Sequence, residues 1–149
     1  MSRICSVART LDIVGERWSL LVLREIFLGV RRFEPIREAT GAPRAVLTDR
    51  LRSLVAAGIV GQRDYREPGS RVRQEYRLTD AGRELQPVLT ALMQWGDRHL
   101  AGPEGPPLEL RHAGCGAHVR ATLACEHGHL LPDNGSELHA VQRYGDRAT

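Results

Sequence analysis

The run from Gly41 to Gly58, GAPRAVLTDRLRSLVAAG, constrains the fold more than any other part of this chain. It carries its own start and stop. Pro43 suits a first helical turn, where its missing N–H has no partner to lose, and Gly58 can take the left-handed conformation that closes a helix. Leu47, Leu51, Leu54 and Val55 fall on one stripe at the 3.6-residue period, so one face must be anchored in a core. Ala45, Thr48, Asp49 and Arg52 point largely away from that stripe, and Arg44 stands at the exposed N-terminal end. A helix held by one face and offering a small side chain, a hydroxyl, a carboxylate and guanidiniums on the other suits the DNA major groove. Arg50 lies nearer the helix edge, within reach of phosphate or of a partner inside the protein.

The flanks fit the same use. Arg32 to Thr40 is a short helix candidate, and Thr40-Gly41-Ala42 is a tight connection, so the two helices make a helix-turn-helix. Ile59 to Tyr65 and Gln74 to Leu78 are strand candidates joined by REPGSRVR, whose Pro68 and Gly69 turn the chain. A hairpin directly after such a helix is the wing of a winged helix. Arg66, Arg71 and Arg73 on it, with Arg32 before the first helix of the pair, are placed for phosphate or minor-groove contact.

Further out, Ser6 to Val14 is a first helix with Ser6 as its expected N-cap. Trp18 to Gly29 is a second, apolar over most of its circumference and therefore buried on several sides; Trp18 is expected as a core anchor. Thr79-Asp80 opens a long helix running to about Leu100, with Thr79 as N-cap and a kink or early break at Pro87. Its wide apolar stripe has no remaining element to cover it, which marks a partner surface. Val7 and Leu11 of the first helix, with Leu85, Leu89, Leu92, Met93, Trp95 and Gly96 of the last, are the expected homodimer interface. A two-fold dimer sets two recognition helices about one DNA turn or a multiple apart, on a palindromic operator.

In combination, Cys5, Gly15-x-x-Trp18, Leu23-Arg24-Glu25, Arg32-Phe33, Leu47-x-x-Arg50-Leu51, Tyr76-Arg77-Leu78-Thr79 and Gly82-x-x-Leu85 resemble an HxlR-type winged helix-turn-helix transcriptional regulator. The resemblance covers about Cys5 to Leu100, two-thirds of the chain. It implies bacterial origin, a homodimer and regulation of transcription; a repressor is the expected sense, though the sequence itself does not decide between repression and activation. The position of Cys5 resembles that of the redox-sensing cysteine in several members, and some relatives carry a similar His-x-x-Cys-Gly extension.

At 149 residues the chain fits one domain with an appendage. The expected organisation is a DNA-binding and dimerisation domain over 1–100, a Gly/Pro linker over 101–107, a small β-hairpin over 108–132 and an irregular tail over 133–149. The fold class is mainly α with a small β-wing (α+β). The formal net charge is only +3, but residues 31–77 hold eleven arginines against six carboxylates, while residues 101–149 hold four against six. The basic excess therefore lies over the candidate DNA-binding segment. All 21 residues of the Lys/Arg class are arginine, which fits a GC-rich coding background as readily as bidentate contact with phosphate and guanine.

Three cysteines without a secretory signal point to a reducing, cytoplasmic compartment, and no apolar run approaches the roughly 20 residues of a membrane span. His112, Cys115, Cys125 and His129 are the one set with metal-ligand chemistry, and could hold a structural zinc across two turns. Against that stands a hairpin with packed thiols and solvated imidazoles; no other cofactor is expected. Cys5 beside Arg3 and Arg9, at or just before a helix N-terminus, has the setting of a thiolate. There is no phosphate loop, paired-carboxylate pattern or nucleophile elbow, so an enzyme is not expected. The expected partners are a double-stranded DNA operator, a second copy of the chain and a small-molecule effector. The alternative is a winged helix that binds protein and no DNA.

Overall fold

In the computed structural model, which describes residues 5–141, six helices and one hairpin follow each other in the predicted order, with the expected long C-terminal helix divided in two. They are α1 (Ser6–Val14), α2 (Arg17–Phe27), α3 (Phe33–Thr40), α4 (Arg44–Ala56), β1 (Val60–Tyr65), β2 (Arg73–Leu78), α5 (Asp80–Arg83) and α6 (Gln86–His99). The chain divides into two compact units at the Leu89–Thr90 step. The expected boundary fell after α6. It falls inside α6 because Gln94 is tied to the extension: its Nε2 donates to the Val119 carbonyl at 2.7 Å and its Oε1 accepts from the Ala121 N–H at 2.8 Å.

The core of the first unit is built on α2 and α4. Val22, Leu23, Ile36, Leu47, Leu51, Leu54 and Val60 are buried essentially completely, with Val14, Ile26, Ala42 and Tyr76 close behind, and Trp18 packs against them. Each such side chain contributes on the order of 1.5–3 kcal/mol relative to exposure, which is enough to fix the roll of α4 about its axis. Gly41 ends α3 at φ 73° and Gly58 follows α4 at the same φ. Nothing lies within 4 Å of where a Cβ would stand at either, so the left-handed backbone alone calls for glycine there.

β1 and β2 pair antiparallel, from Val60 opposite Leu78 to Tyr65 opposite Arg73. The loop before α3 adds to the outer edge of β2: the Tyr76 N–H donates to the Arg31 carbonyl at 2.7 Å, and Arg32 bridges Glu75. Thr79 caps α5 as expected, its Oγ1 accepting from the Gly82 N–H at 3.1 Å and donating to the Gly58 carbonyl at 2.6 Å. The long helix expected from Thr79 to Leu100 breaks at Glu84–Leu85, which leaves Pro87 in the first turn of α6, where its ring is harmless.

Three local expectations are corrected. Ser6 is the first helical residue of α1 and Cys5 occupies the cap, with no side-chain cap bond. Pro43 is likewise the cap residue of α4 rather than inside its first turn; at φ −58° its carbonyl accepts from the Leu47 N–H at 2.9 Å. The expected small hairpin over 108–132 takes the form of two separate turns, closed by the single bridges Arg111–His118 and Ala124–Leu130. The Val119-x-Ala121-x-Leu123 alternation that suggested strands belongs to the segment joining them. The part of the tail over residues 133–141 has no helix or strand, and residues 142–149 lie outside the described residues. No helix among the described residues is long and apolar enough to cross a membrane.

Candidate nucleic-acid interface

Burial of Leu47, Leu51 and Leu54 turns the opposite edge of α4 outward. Ala45, Asp49 and Arg52 are exposed, Arg52 with three-quarters of its side chain accessible; its guanidinium lies 3.7 Å from the Asp49 carboxylate. Thr48 is half-buried, and its Oγ1 donates back to the Arg44 carbonyl at 2.9 Å. Arg50 does turn to the protein: it lies 3.9 Å from Glu16 and only 28% of its side chain is exposed.

Arg44 is not free. It pairs with Glu34 of α3 and its guanidinium lies 5.2 Å over the Phe33 ring. Glu34 also accepts from Arg37 Nε at 2.9 Å. These two hydrogen bonds, Arg37 first and then Arg44, hold the Glu34 carboxyl below its ordinary range, and Glu34 in turn raises the Arg37 guanidinium. Sequence reading missed Glu34. Its signal was the Glu34-x-x-Arg37 spacing, a helical pair, but nothing in the sequence pointed it at Arg44.

The wing has its own internal ties. Arg66 Nε donates to the Ser70 carbonyl at 2.9 Å, the Ser70 N–H donates to the Glu67 carbonyl at 3.0 Å, and Gly69 turns the chain at φ 77°. Arg32 reaches across from the start of α3 to Glu67 at 2.6 Å while lying 4.3 Å over the Tyr65 ring; the bond to Glu67 is the chief reason its guanidinium pKa is raised. Two of the expected phosphate contacts, Arg32 and Arg66, therefore also hold the wing in shape. Arg71 and Arg73 are exposed and have no carboxylate partner among the described residues. Arg32, Arg44, Arg71 and Arg73 line one open groove of about 670 Å³ between the head of α4 and the wing, with Phe33, Tyr65 and Tyr76 along its sides. Four guanidiniums surround this concave surface, Arg44 paired to Glu34 and Arg32 to Glu67, so its charge favours anions.

The expected dimer residues fall into two groups. Val7 and Leu11 on α1, and Leu92 and Trp95 on α6, are more than half exposed, and Met93 and Gly96 are partly so. Leu85 and Leu89 are partly buried and pack against the core of the first unit. Val88, nearly half exposed, extends the outward stripe instead.

Cys5 is exposed at the head of α1 as a free thiol; Arg3, expected beside it, lies outside the described residues. His112 Nδ1 sits 3.3 Å from Cys115 Sγ in the first turn of the extension. Cys125 and His129 close the second turn through their backbones, the Cys125 N–H donating to the His129 carbonyl at 3.0 Å. Among the described residues no three His, Cys, Asp or Glu side chains come together as a metal site. The four residues considered for zinc are thus not gathered, since each turn closes on itself.

A model of the HxlR-like helix-turn-helix family matches residues 13–103. The chain is 51% identical over 122 residues to an uncharacterised HTH-type transcriptional regulator of Mycobacterium tuberculosis, covering 82% of this chain and 76% of that protein. It is 44% identical over 98 residues to another from Synechocystis, covering 65% and 71%. Among solved structures it is similar to PA1607, a candidate transcription factor, with a TM-score of 0.80 and 33% identity across 96% of this chain and 97% of that one. It is also similar to the redox regulator HypR in its oxidized form, with a TM-score of 0.59 and 31% identity across 66% and 100%.

Proposed function

The chain belongs to the HxlR-like helix-turn-helix family, and from that premise we propose that it is a homodimeric repressor that reads a palindromic operator. Arg44, Ala45, Thr48, Asp49 and Arg52 enter the major groove; Arg32, Arg66, Arg71 and Arg73 engage backbone or minor groove. The single observation that carries this reading is the groove joining Arg44 at the head of α4 to Arg71 and Arg73 on the wing. One strand of phosphates can run along it while the outer edge of α4 meets base edges. The exposed apolar residues of α1 and α6 support a second copy as the covering partner.

The test is a mobility shift with the full chain and the DNA upstream of its own gene, at two salt concentrations. If six to ten phosphates are neutralised, affinity falls by about 10³–10⁵ between 50 and 200 mM salt. No shift, or one indifferent to salt, would return the fold to use as a protein-interaction module.

The signal to which the repressor responds has a thiol candidate. Cys5 is accessible at the start of α1, and the chain is similar to a redox regulator. Oxidant should release the protein from DNA, and Cys5→Ser should prevent that release; equal release in both proteins removes Cys5 from the mechanism.

A further inference from the structure

We propose that a second cleft, at the base of the wing, binds a small organic anion: a carboxylate on an aromatic or branched aliphatic body. The proposal rests on the DNA-binding reading above for its consequence but not for the site itself. The cleft encloses about 430 Å³ between the end of α2, the end of β2 and the α5–α6 step. That volume is within the range of small-molecule sites, about 300–1,000 Å³. Its apolar wall is Ile26, Phe27 and Leu78, and its cations are Arg31, Arg77 and Arg83.

Two of the three cations, Arg31 and Arg83, are poorly compensated. Among the described residues no carboxylate lines the cleft. Arg83 lies 2.7 Å from Asp80 in an exposed pair, which is weak, whereas Arg77 lies 3.2 Å from Glu75, whose side chain is only 17% exposed. Arg31 has no side-chain partner among the described residues. A ligand carboxylate can take a bidentate bond from a guanidinium of this kind while its body covers Phe27 and Leu78. An inorganic anion would leave that apolar wall wet.

The cleft is separate from the polyanion groove. Arg31 and Arg32 are consecutive, and Arg32 is extended at φ −106° and ψ 150°, where neighbouring side chains point to opposite sides. Arg32 lines the groove and Arg31 the cleft; on β2, Tyr76 lines the groove and Arg77 the cleft. The two sites therefore share a backbone, joined where the Tyr76 N–H bonds the Arg31 carbonyl. An anion drawing Arg31 and Arg77 together acts on the residues next to Arg32, which holds the wing through Glu67 and Tyr65. Anion and DNA are then linked, and the factor by which one changes the other's affinity is reciprocal.

Calorimetric titration of the full chain with benzoate tests the site, with inorganic phosphate as the probe for charge alone. One benzoate per chain is expected, bound more tightly than phosphate, and at least fivefold more weakly by Arg31→Gln and by Arg83→Gln. Thermal melts establish that the variants fold, and a benzoate-dependent rise in the melting temperature of the unaltered chain needs no variant. No benzoate binding, binding by both variants as tight as by the unaltered chain, or phosphate matching benzoate overturns the proposal. A mobility shift without benzoate should be the same for Arg31→Gln as for the unaltered chain within twofold. A larger loss reassigns the cleft to DNA backbone and also overturns it. Benzoate binding by a chain that shifts no DNA sinks the DNA-binding reading and leaves the anion site standing.

Discussion

Arg52 and Arg71 carry the same charge and are asked for different things. Arg52 projects from the middle of α4 with only the 3.7 Å approach of Asp49 to restrain it. If it pairs with a base edge, Arg52→Ala costs about 1–3 kcal/mol on the operator and little on unrelated DNA. Arg71 is an exposed wing residue without a carboxylate, so Arg71→Ala should weaken binding to all sequences and lower the salt slope by about 1. Competition titrations with operator and random duplex at several salt concentrations separate the two; identical losses on both duplexes for both variants would void the assignment. Glu34 supplies a different kind of test. Its carboxyl is held below the ordinary value in the folded chain, so the Arg37 and Arg44 pairing adds stability that is present above the unfolded value of about 4.3. That stability is lost as pH falls through the lower folded value. The melting-temperature gap between the unaltered chain and Glu34→Gln should be constant above about pH 5 and shrink below it. A gap that grows on acidification would contradict the depressed carboxyl.

At the scale of elements, α4 was legible because its stripe, its glycine stop and its charged edge all follow from one period, and the break near Pro87 followed from a missing N–H. What stayed hidden depends on contacts distant in sequence. Glu34 meets Arg44 only once α3 and α4 cross, and Arg32 meets Glu67 only once the wing folds back. Leu85 and Leu89 look in sequence like Leu92, and only the folded chain shows that they pack against the core. The extension misled for another reason: period-two alternation over five residues suggests a strand, but turns at Gly116 and Gly128 close too soon to build a ladder. Gly82 shows how much the packing of elements decides. It sits within α5, where alanine has the better helix propensity by about 1 kcal/mol. Yet a Cβ there would run into the Ile59 carbonyl and stand 3.2 Å from Leu78 Cδ2. Overpacking costs about 1–3 kcal/mol and outweighs the propensity, so Gly82→Ala should destabilise in urea unfolding. A gain in stability would mean that α5 is not seated against the strand.

For the whole molecule the deciding question is what covers α6. Leu92 and Leu89 are one turn apart on the same helix, yet Leu92 is 52% exposed and Leu89 packs on the core. The two should therefore respond differently to a charge. Leu89→Glu sets an unpaired carboxylate against the core and should lower the melting temperature of the chain. Leu92→Glu leaves the subunit intact but places like charges against each other wherever two copies meet across a two-fold axis. In analytical ultracentrifugation the unaltered chain should sediment at twice its 16.6 kDa, and Leu92→Glu at once. Losing the partner makes the second half-site a separate binding event, so affinity for a two-half-site duplex should fall by about 10²–10⁴ while a single half-site is bound as before. A chain that sediments as a monomer and still holds the palindrome as tightly as its Leu92→Glu variant would show that the apolar edge of α6 serves some other contact, and that each subunit reads DNA alone.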